Sequence, residues 1–286
     1  MSTPRVTAIH DLSGFGRCSL TVALPILSAM GVQCCPLPTA FLSTHTGGFE
    51  GFTFLDMTGE MPRAAHHWKS LGLEFDAVYS GFLGSARQIG VVEDFIRDFR
   101  GGGVVVVDPV MGDGGAVYRT YTSEMCAGMA RLAERADVIT PNLTEAALLL
   151  GVPYGELPAG ETGFRDIVER LSLGGRRSVV LTGASLEPGS TGAMCFDAAA
   201  GRTEAVQTRR VDRDFHGTGD VFSSVLTGAL VQGTPLIEAA RAAAEFVRAC
   251  AERTAAEELP MREGVDFEPL LGLLAKPVSS PLDGLT

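Results

Sequence analysis

The chain is predicted to be an α/β protein built on a mostly parallel sheet. Short, almost purely apolar runs recur along its 286 residues, longer amphipathic stretches separate them, and no linker, repeat or low-complexity tract interrupts the rhythm. The runs at residues 6–9, 76–79, 104–107, 137–139 and 179–181 read as strands buried on both faces, because a half-exposed strand would alternate polar and apolar residues. Between them, residues 20–30, 88–99, 123–133 and 164–173 carry helical apolar spacing. Two segments, 36–51 and 193–210, break the alternation with short β-like runs parted by Gly and polar residues, and suit edge strands or a small cover over a site. Residues 220–231 and 237–256 read as long helices joined at Gly233-Thr234-Pro235, with proline at a helix entry. One domain over residues 1–275 and a loose tail over 276–286 complete the expectation.

Composition narrows the function. A formal charge of -11 disfavours a nucleic-acid binder, since a phosphate backbone recruits concentrated basic surface. The six cysteines form no C-x-x-C pair and no zinc-like spacing with the five histidines, so they read as free thiols. Neither a signal peptide nor a membrane span is evident near Met1, which predicts a cytoplasmic protein.

The strongest chemical segment is His216-Gly217-Thr218-Gly219-Asp220. Two glycines allow a sharp turn, and the helix that follows points its free amides outward as an anion hole. Asp220 in the first turn serves either as a proton acceptor or as an ordinary helix cap, and these residues alone do not separate the two. Three further segments fall at predicted C-terminal ends of strands, where open parallel sheets collect ligands. Asp108-Pro109-Val110-Met111-Gly112-Asp113 offers hard oxygen ligands for Mg²⁺ or a monovalent cation such as K⁺, or is an Asp-Pro turn. Thr140-Pro141-Asn142-Leu143-Thr144-Glu145 places Asn142 and Glu145 at a helix start, for a metal-phosphate cluster or for capping. Leu181-Thr182-Gly183 ends a strand with a hydroxyl suited to a nucleotide. The chain lacks G-x-x-x-x-G-K-[ST], a complete dinucleotide fingerprint, a G-x-S-x-G elbow and the protein-kinase signatures, which leaves a different phosphotransferase architecture.

With these segments in view, residues 7–254 resemble the ribokinase superfamily, and within it the pyridoxal and pyridoxamine kinase branch. Ser43-Thr44-His45-Thr46-Gly47 and Ser80-Gly81-Phe82-Leu83-Gly84-Ser85 carry the narrower likeness. The resemblance implies a three-layer α/β/α sandwich with a small β lid, usually dimeric, which phosphorylates the 5′-hydroxymethyl group of a B6 vitamer with MgATP. It implies Asp220 as base, with Gly217, Thr218 and Gly219 shaping the anion hole. It further implies Asp108, Asp113 and Glu145 around the metal, and Asn142, Thr182 and Gly183 at the nucleotide. Arg209 either reaches the nucleotide or stays solvated, and His216 contacts phosphate or shapes the turn. Asp11, Ser13, His45, Thr46 and Phe82 are implied at the substrate. His45 is read as a ring-nitrogen partner, with a satisfied loop histidine as the alternative.

Two departures stand out. Asp11 occupies the place of a serine common in pyridoxal kinases, and Phe82 that of a tyrosine; Phe82 reads as wall packing. A carboxylate at Asp11 suits the cationic aminomethyl group of pyridoxamine, or else only holds the Gly14-Phe15-Gly16 loop. Hydroxymethylpyrimidine kinase is the nearest rival activity, and a non-catalytic B6-binding protein is the rival of a different class.

Overall fold

The computed structural model describes residues 3–275, so the tail expected at 276–286 lies outside the described residues. The strands are β1 (Arg5–Ile9), β2 (Leu12–Ser13), β3 (Gln33–Pro36), β4 (Ala40–Leu42), β5 (Phe54–Asp56), β6 (Ala77–Ser80), β7 (Val104–Val107), β8 (Gly112–Asp113), β9 (Ala116–Val117), β10 (Val138–Ile139), β11 (Ser178–Thr182), β12 (Ser190–Asp197) and β13 (Arg202–Arg209). The helices are α1 (Leu20–Ala29), α2 (Met61–Ser70), α3 (Ala86–Phe99), α4 (Ser123–Ala133), α5 (Leu143–Leu150), α6 (Gly160–Leu171), α7 (Thr218–Val231) and α8 (Leu236–Ala256).

An eight-stranded sheet of order β13-β12-β11-β10-β7-β6-β1-β3 forms the middle layer, parallel throughout except for β12 and β13. Alternate residues of each central strand face opposite helical layers. Val6, Ala8, Ala77, Tyr79, Val106 and Val180 pack on one face with residues of α1, α7 and α8. Ile9, Val78, Val105, Val107, Val179 and Leu181 pack on the other with residues of α2, α3, α4 and α6. This double burial is why the strands read as unbroken apolar runs.

The two irregular segments resolve differently. Residues 36–51 contribute β4 to a three-stranded sheet of order β2-β4-β5. Residues 193–210 instead fall within the antiparallel hairpin β12–β13, which widens the main sheet and packs on α8. On this outer strand Arg202 faces Glu238, Glu204 pairs with Arg241 and Arg209 pairs with Glu252. The edge strand β3 went unread because Gln33-Cys34-Cys35-Pro36 is short and half-exposed. No helix among the described residues is long and apolar enough to cross a membrane.

Candidate active site

The segment expected as an anion hole folds as a tight entry into α7. Gly217 is the N-cap, with φ 74° and ψ 0°. A side chain there would place its Cβ 2.0 Å from the carbonyl oxygen of Arg17, so both conformation and space require glycine. Gly219 is exposed, and a side chain there would meet no neighbour within contact distance. Asp220 lies in the first turn of α7, two residues inside the helix rather than at its N-cap. The Asp220 carboxyl, partly buried, is pushed up to about 7 by burial. The backbone amide of Ser19 acts against this rise, and the nearby charge of Asp11 adds to it.

Asp108 leaves the C-terminal end of β7 and is 6% exposed. Its Oδ2 accepts from Ser223 Oγ at 3.1 Å, and the same hydroxyl lies 3.0 Å from Thr140 Oγ1. Burial first, and then the charge of Asp220, raise Asp108 to about 7. Ser223 was not singled out in the sequence, although it stands three residues beyond Asp220 on one helix face.

Glu145 is also buried, and its carboxyl lies well above the usual range through burial and the charge of Asp108. The capping alternative is realised here: Asn142 Oδ1 accepts from the Glu145 amide, and Glu145 Oε2 accepts from the Asn142 amide, both at 2.9 Å. Glu145 Oε1 takes the Met111 amide at 3.2 Å, and Asn142 Nδ2 donates to the Gly112 carbonyl at 2.9 Å. These bonds tie the β10–α5 turn to the loop after β7. Asp113 does not join the other two acids: it is exposed on the β8–β9 hairpin and accepts from the Gly114 amide at 2.8 Å. Among the described residues no three His, Cys, Asp or Glu side chains gather as a metal cage, so the expected three-ligand set is not assembled.

Asp11 follows β1 and is 5% exposed. Ser13 Oγ donates to its Oδ2 at 2.8 Å, and burial raises its carboxyl while the hydroxyls of Ser19 and Ser13 oppose the rise. Ser19 carries φ 51°, which only a tightly constrained non-glycine residue keeps. It stands at the N-cap of α1 but spends no side-chain bond on the cap. His10, the neighbour of Asp11, is fully buried against Tyr79 at 4.3 Å; neither ring nitrogen has a partner among the described residues, and burial lowers it to about 3.

The ring-nitrogen role expected of His45 is not what the structure holds. Its Nε2 donates to the Arg262 carbonyl at 2.6 Å and its Nδ1 accepts from the Gly47 amide at 3.0 Å, so both nitrogens are engaged within the protein, in the manner of the satisfied-loop alternative. Thr46 beside it is exposed, and His216, also exposed, lies 5.4 Å from His45 between ring centroids. Phe82 packs edge-on to Tyr121 at 6.1 Å, in the manner of a wall residue. Thr182 ends β11 with its amide on the Pro141 carbonyl at 2.9 Å, and Gly183 turns away at φ 72°. Arg209 takes the solvated alternative, with its side chain 75% exposed and 2.7 Å from Glu252 on α8.

Comparison with known proteins identifies the family of the chain. The family model for phosphomethylpyrimidine kinase matches residues 24–264. A hydroxymethylpyrimidine/phosphomethylpyrimidine kinase of Rhizobium meliloti is 30% identical over 257 residues, 87% of this chain and 90% of that protein. A pyridoxine/pyridoxal/pyridoxamine kinase of Bordetella avium is 30% identical over 256 residues, 85% of this chain and 82% of that one. A crystal structure of a Bacteroides thetaiotaomicron protein, described as a phosphomethylpyrimidine kinase and holding pyridoxal, superposes with a TM-score of 0.91 at 42% identity, over 98% of each chain. Sheet, strand-end acids and these likenesses converge: the chain belongs to the phosphomethylpyrimidine kinase family, the kinase family of the ribokinase-like fold that it shares with pyridoxal kinases.

Proposed function

We propose that the protein transfers the γ-phosphoryl group of ATP to the 5′-hydroxymethyl group of a vitamin B6 vitamer. The observation that carries this reading is Asp220: a carboxylate on the first turn of α7, raised to about 7, next to amides with no helical partner. In this reading one Asp220 oxygen takes the proton of the substrate hydroxyl as the hydroxyl oxygen bonds to the γ-phosphorus. The bond to the bridging oxygen breaks and ADP leaves. The amides of Thr218 and Gly219 stabilise the charge on the transferred group.

Asp108 and Glu145 suit the Mg²⁺ of MgATP. Both are buried with raised pKa and neither has a cationic partner among the described residues, a donor set that a divalent ion offsets. The ion would neutralise phosphate charge. Glu145 contributes while holding the loop at Met111, whereas exposed Asp113 serves only at the mouth, and K⁺ has no separate support. Thr182, Gly183 and Asn142 line the strand ends on the nucleotide side, with His216 near the phosphates. Asp11, Ser13, Thr46 and Phe82 face the vitamer, and the buried negative charge of Asp11 favours pyridoxamine.

A second reading, hydroxymethylpyrimidine as acceptor, is favoured by the family model and the Rhizobium relative. One coupled ADP-release assay across pyridoxal, pyridoxamine, pyridoxine and hydroxymethylpyrimidine separates them. A kcat/KM highest for the pyrimidine overturns the B6 assignment, and ADP release with none of the four overturns both. Homodimerisation rests on the resemblance, and light scattering decides it.

A further inference from the structure

Residues 260–268 carry none of the groups assigned to the reaction, yet they touch both loops that frame it. The segment is firmly anchored. Val265 and Phe267 are fully buried in the core shared with α1 and α8, and Asp266 between them turns the other way. Its amide bonds Thr254 Oγ1 at 2.8 Å, and its Oδ2 takes Arg253 Nε at 2.7 Å.

From this anchor one arm reaches Arg17. The guanidinium meets Asp266 Oδ1 at 2.9 Å and Glu268 Oε2 at 2.8 Å, and the Arg17 amide donates to the Glu263 carbonyl at 3.0 Å. Gly264, at φ 84°, presses so closely that a Cβ would stand 2.8 Å from the Arg17 backbone oxygen. That same carbonyl oxygen is the atom against which Gly217 is packed. The contacts therefore run unbroken from the core through Asp266 and Arg17 to the turn that carries Asp220.

A second arm reaches the loop over residues 43–51. The Arg262 carbonyl accepts from His45 Nε2, and the Arg262 guanidinium lies 5.2 Å over the Phe49 ring, which meets His45 edge-on at 4.9 Å. His45 in turn fixes the Gly47 amide, and Gly47 leaves no room for a side chain beside His216.

We propose that residues 260–268 form a clasp holding both walls of the site, and that Arg17 and His45 are its positioning residues. The inference rests on the kinase reading only for its kinetic consequences. Because each arm serves a different wall, their losses separate. Arg17→Ala loosens the turn before Asp220 and should lower kcat about tenfold with the vitamer KM nearly unchanged; His45→Ala frees the 43–51 loop and should raise that KM about tenfold with kcat nearly unchanged. Hydrogen exchange should quicken about tenfold at residues 217–220 in the first variant and at 43–51 in the second.

Glu268→Gln provides the control for misfolding, since Glu268 is about half-exposed and far in sequence from the catalytic segment. It should lower kcat in the same direction as Arg17→Ala, and the double variant should be no worse than Arg17→Ala alone, as expected of residues acting through one contact. A fall in melting temperature with unchanged kcat, KM and local exchange in these variants overturns the clasp. If the parent protein releases no ADP with any vitamer, the kinase reading fails, and the exchange measurements alone decide for or against the clasp.

Discussion

Ser223 Oγ donates to Asp108 Oδ2 at 3.1 Å, joining α7 one turn beyond Asp220 to the C-terminal end of β7. The bond holds two carboxyls, Asp108 and Asp220, in one poorly solvated space where both sit at about 7. A carboxyl with a raised folded pKa keeps its proton in the folded chain between roughly 4 and 7, where the unfolded chain has lost it, so its contribution to stability falls as pH rises through that window. Asp108→Asn removes one such group. Relative to the parent, its melting temperature should climb steadily from about pH 4 to about pH 7 and level off above that, by the equivalent of up to a few kcal/mol. Thermal denaturation across that range checks this, and a difference independent of pH contradicts the burial of Asp108.

Removing Asp220 tests the base directly. Asp220→Ala should reduce kcat by about 10²- to 10⁴-fold with ATP affinity little changed, the loss expected when general-base help disappears. Steady-state kinetics with an independent nucleotide titration reads both, and a near-normal kcat removes Asp220 from the mechanism.

Asp11→Ser should act twice. It deletes the charge proposed to favour pyridoxamine, so the kcat/KM ratio of pyridoxamine to pyridoxal should fall about tenfold or more, the scale of one buried charge-assisted contact. It also deletes a negative neighbour that raises Asp220, so the acidic limb of kcat/KM should move to lower pH. An unchanged vitamer preference leaves Asp11 with only the loop to hold.

The two glycines of the turn should respond in opposite ways. At Gly217 a methyl group meets the Arg17 carbonyl at 2.0 Å, and Gly217→Ala should cost several kcal/mol of stability, in the range of severe backbone conflicts. Gly219 has nothing within contact distance and lies in a helix, so Gly219→Ala should stabilise the fold by up to about 1 kcal/mol. It should nevertheless slow transfer by crowding the amides. Melting curves beside kcat reveal whether stability and rate part company in this way.

Ser19 offers a related contrast. Its φ of 51° is natural for glycine, so Ser19→Gly should relieve backbone strain of about 1–3 kcal/mol, partly cancelled by the freedom glycine gains when unfolded. If Ser19 is held there for the sake of Asp11 and Asp220, the variant should be at least as stable but slower. Equal activity would mean that the strain serves the loop alone.

Much of this architecture was legible because doubly buried strands leave an unmistakable trace, and the five apolar runs became β1, β6, β7, β10 and β11. The strand-end motifs were legible for a related reason: glycine, asparagine and acid at a helix start are short-range signals. What the sequence hid was chosen by contacts distant along the chain. His45 had two readings until the Arg262 carbonyl, 217 residues away, accepted its Nε2. Arg17 carried no local signal, because its importance lies in what touches it from residues 263–268 and 217. Asp113 shares a motif with Asp108, but the turn that separates them sends one carboxylate into the interior and the other to solvent.

The ion-paired outer strand β13 has a bearing on solubility. A broad sheet ending in a bare ribbon of amides and carbonyls invites another chain to extend it. Here the terminal strand carries Arg202, Glu204 and Arg209, each matched to a charge on α8. The opposite border ends at Pro36, which has no amide hydrogen to offer. A would-be recruit must therefore displace charged side chains at one border or meet a missing donor at the other, which equips the sheet to resist fibrillar growth.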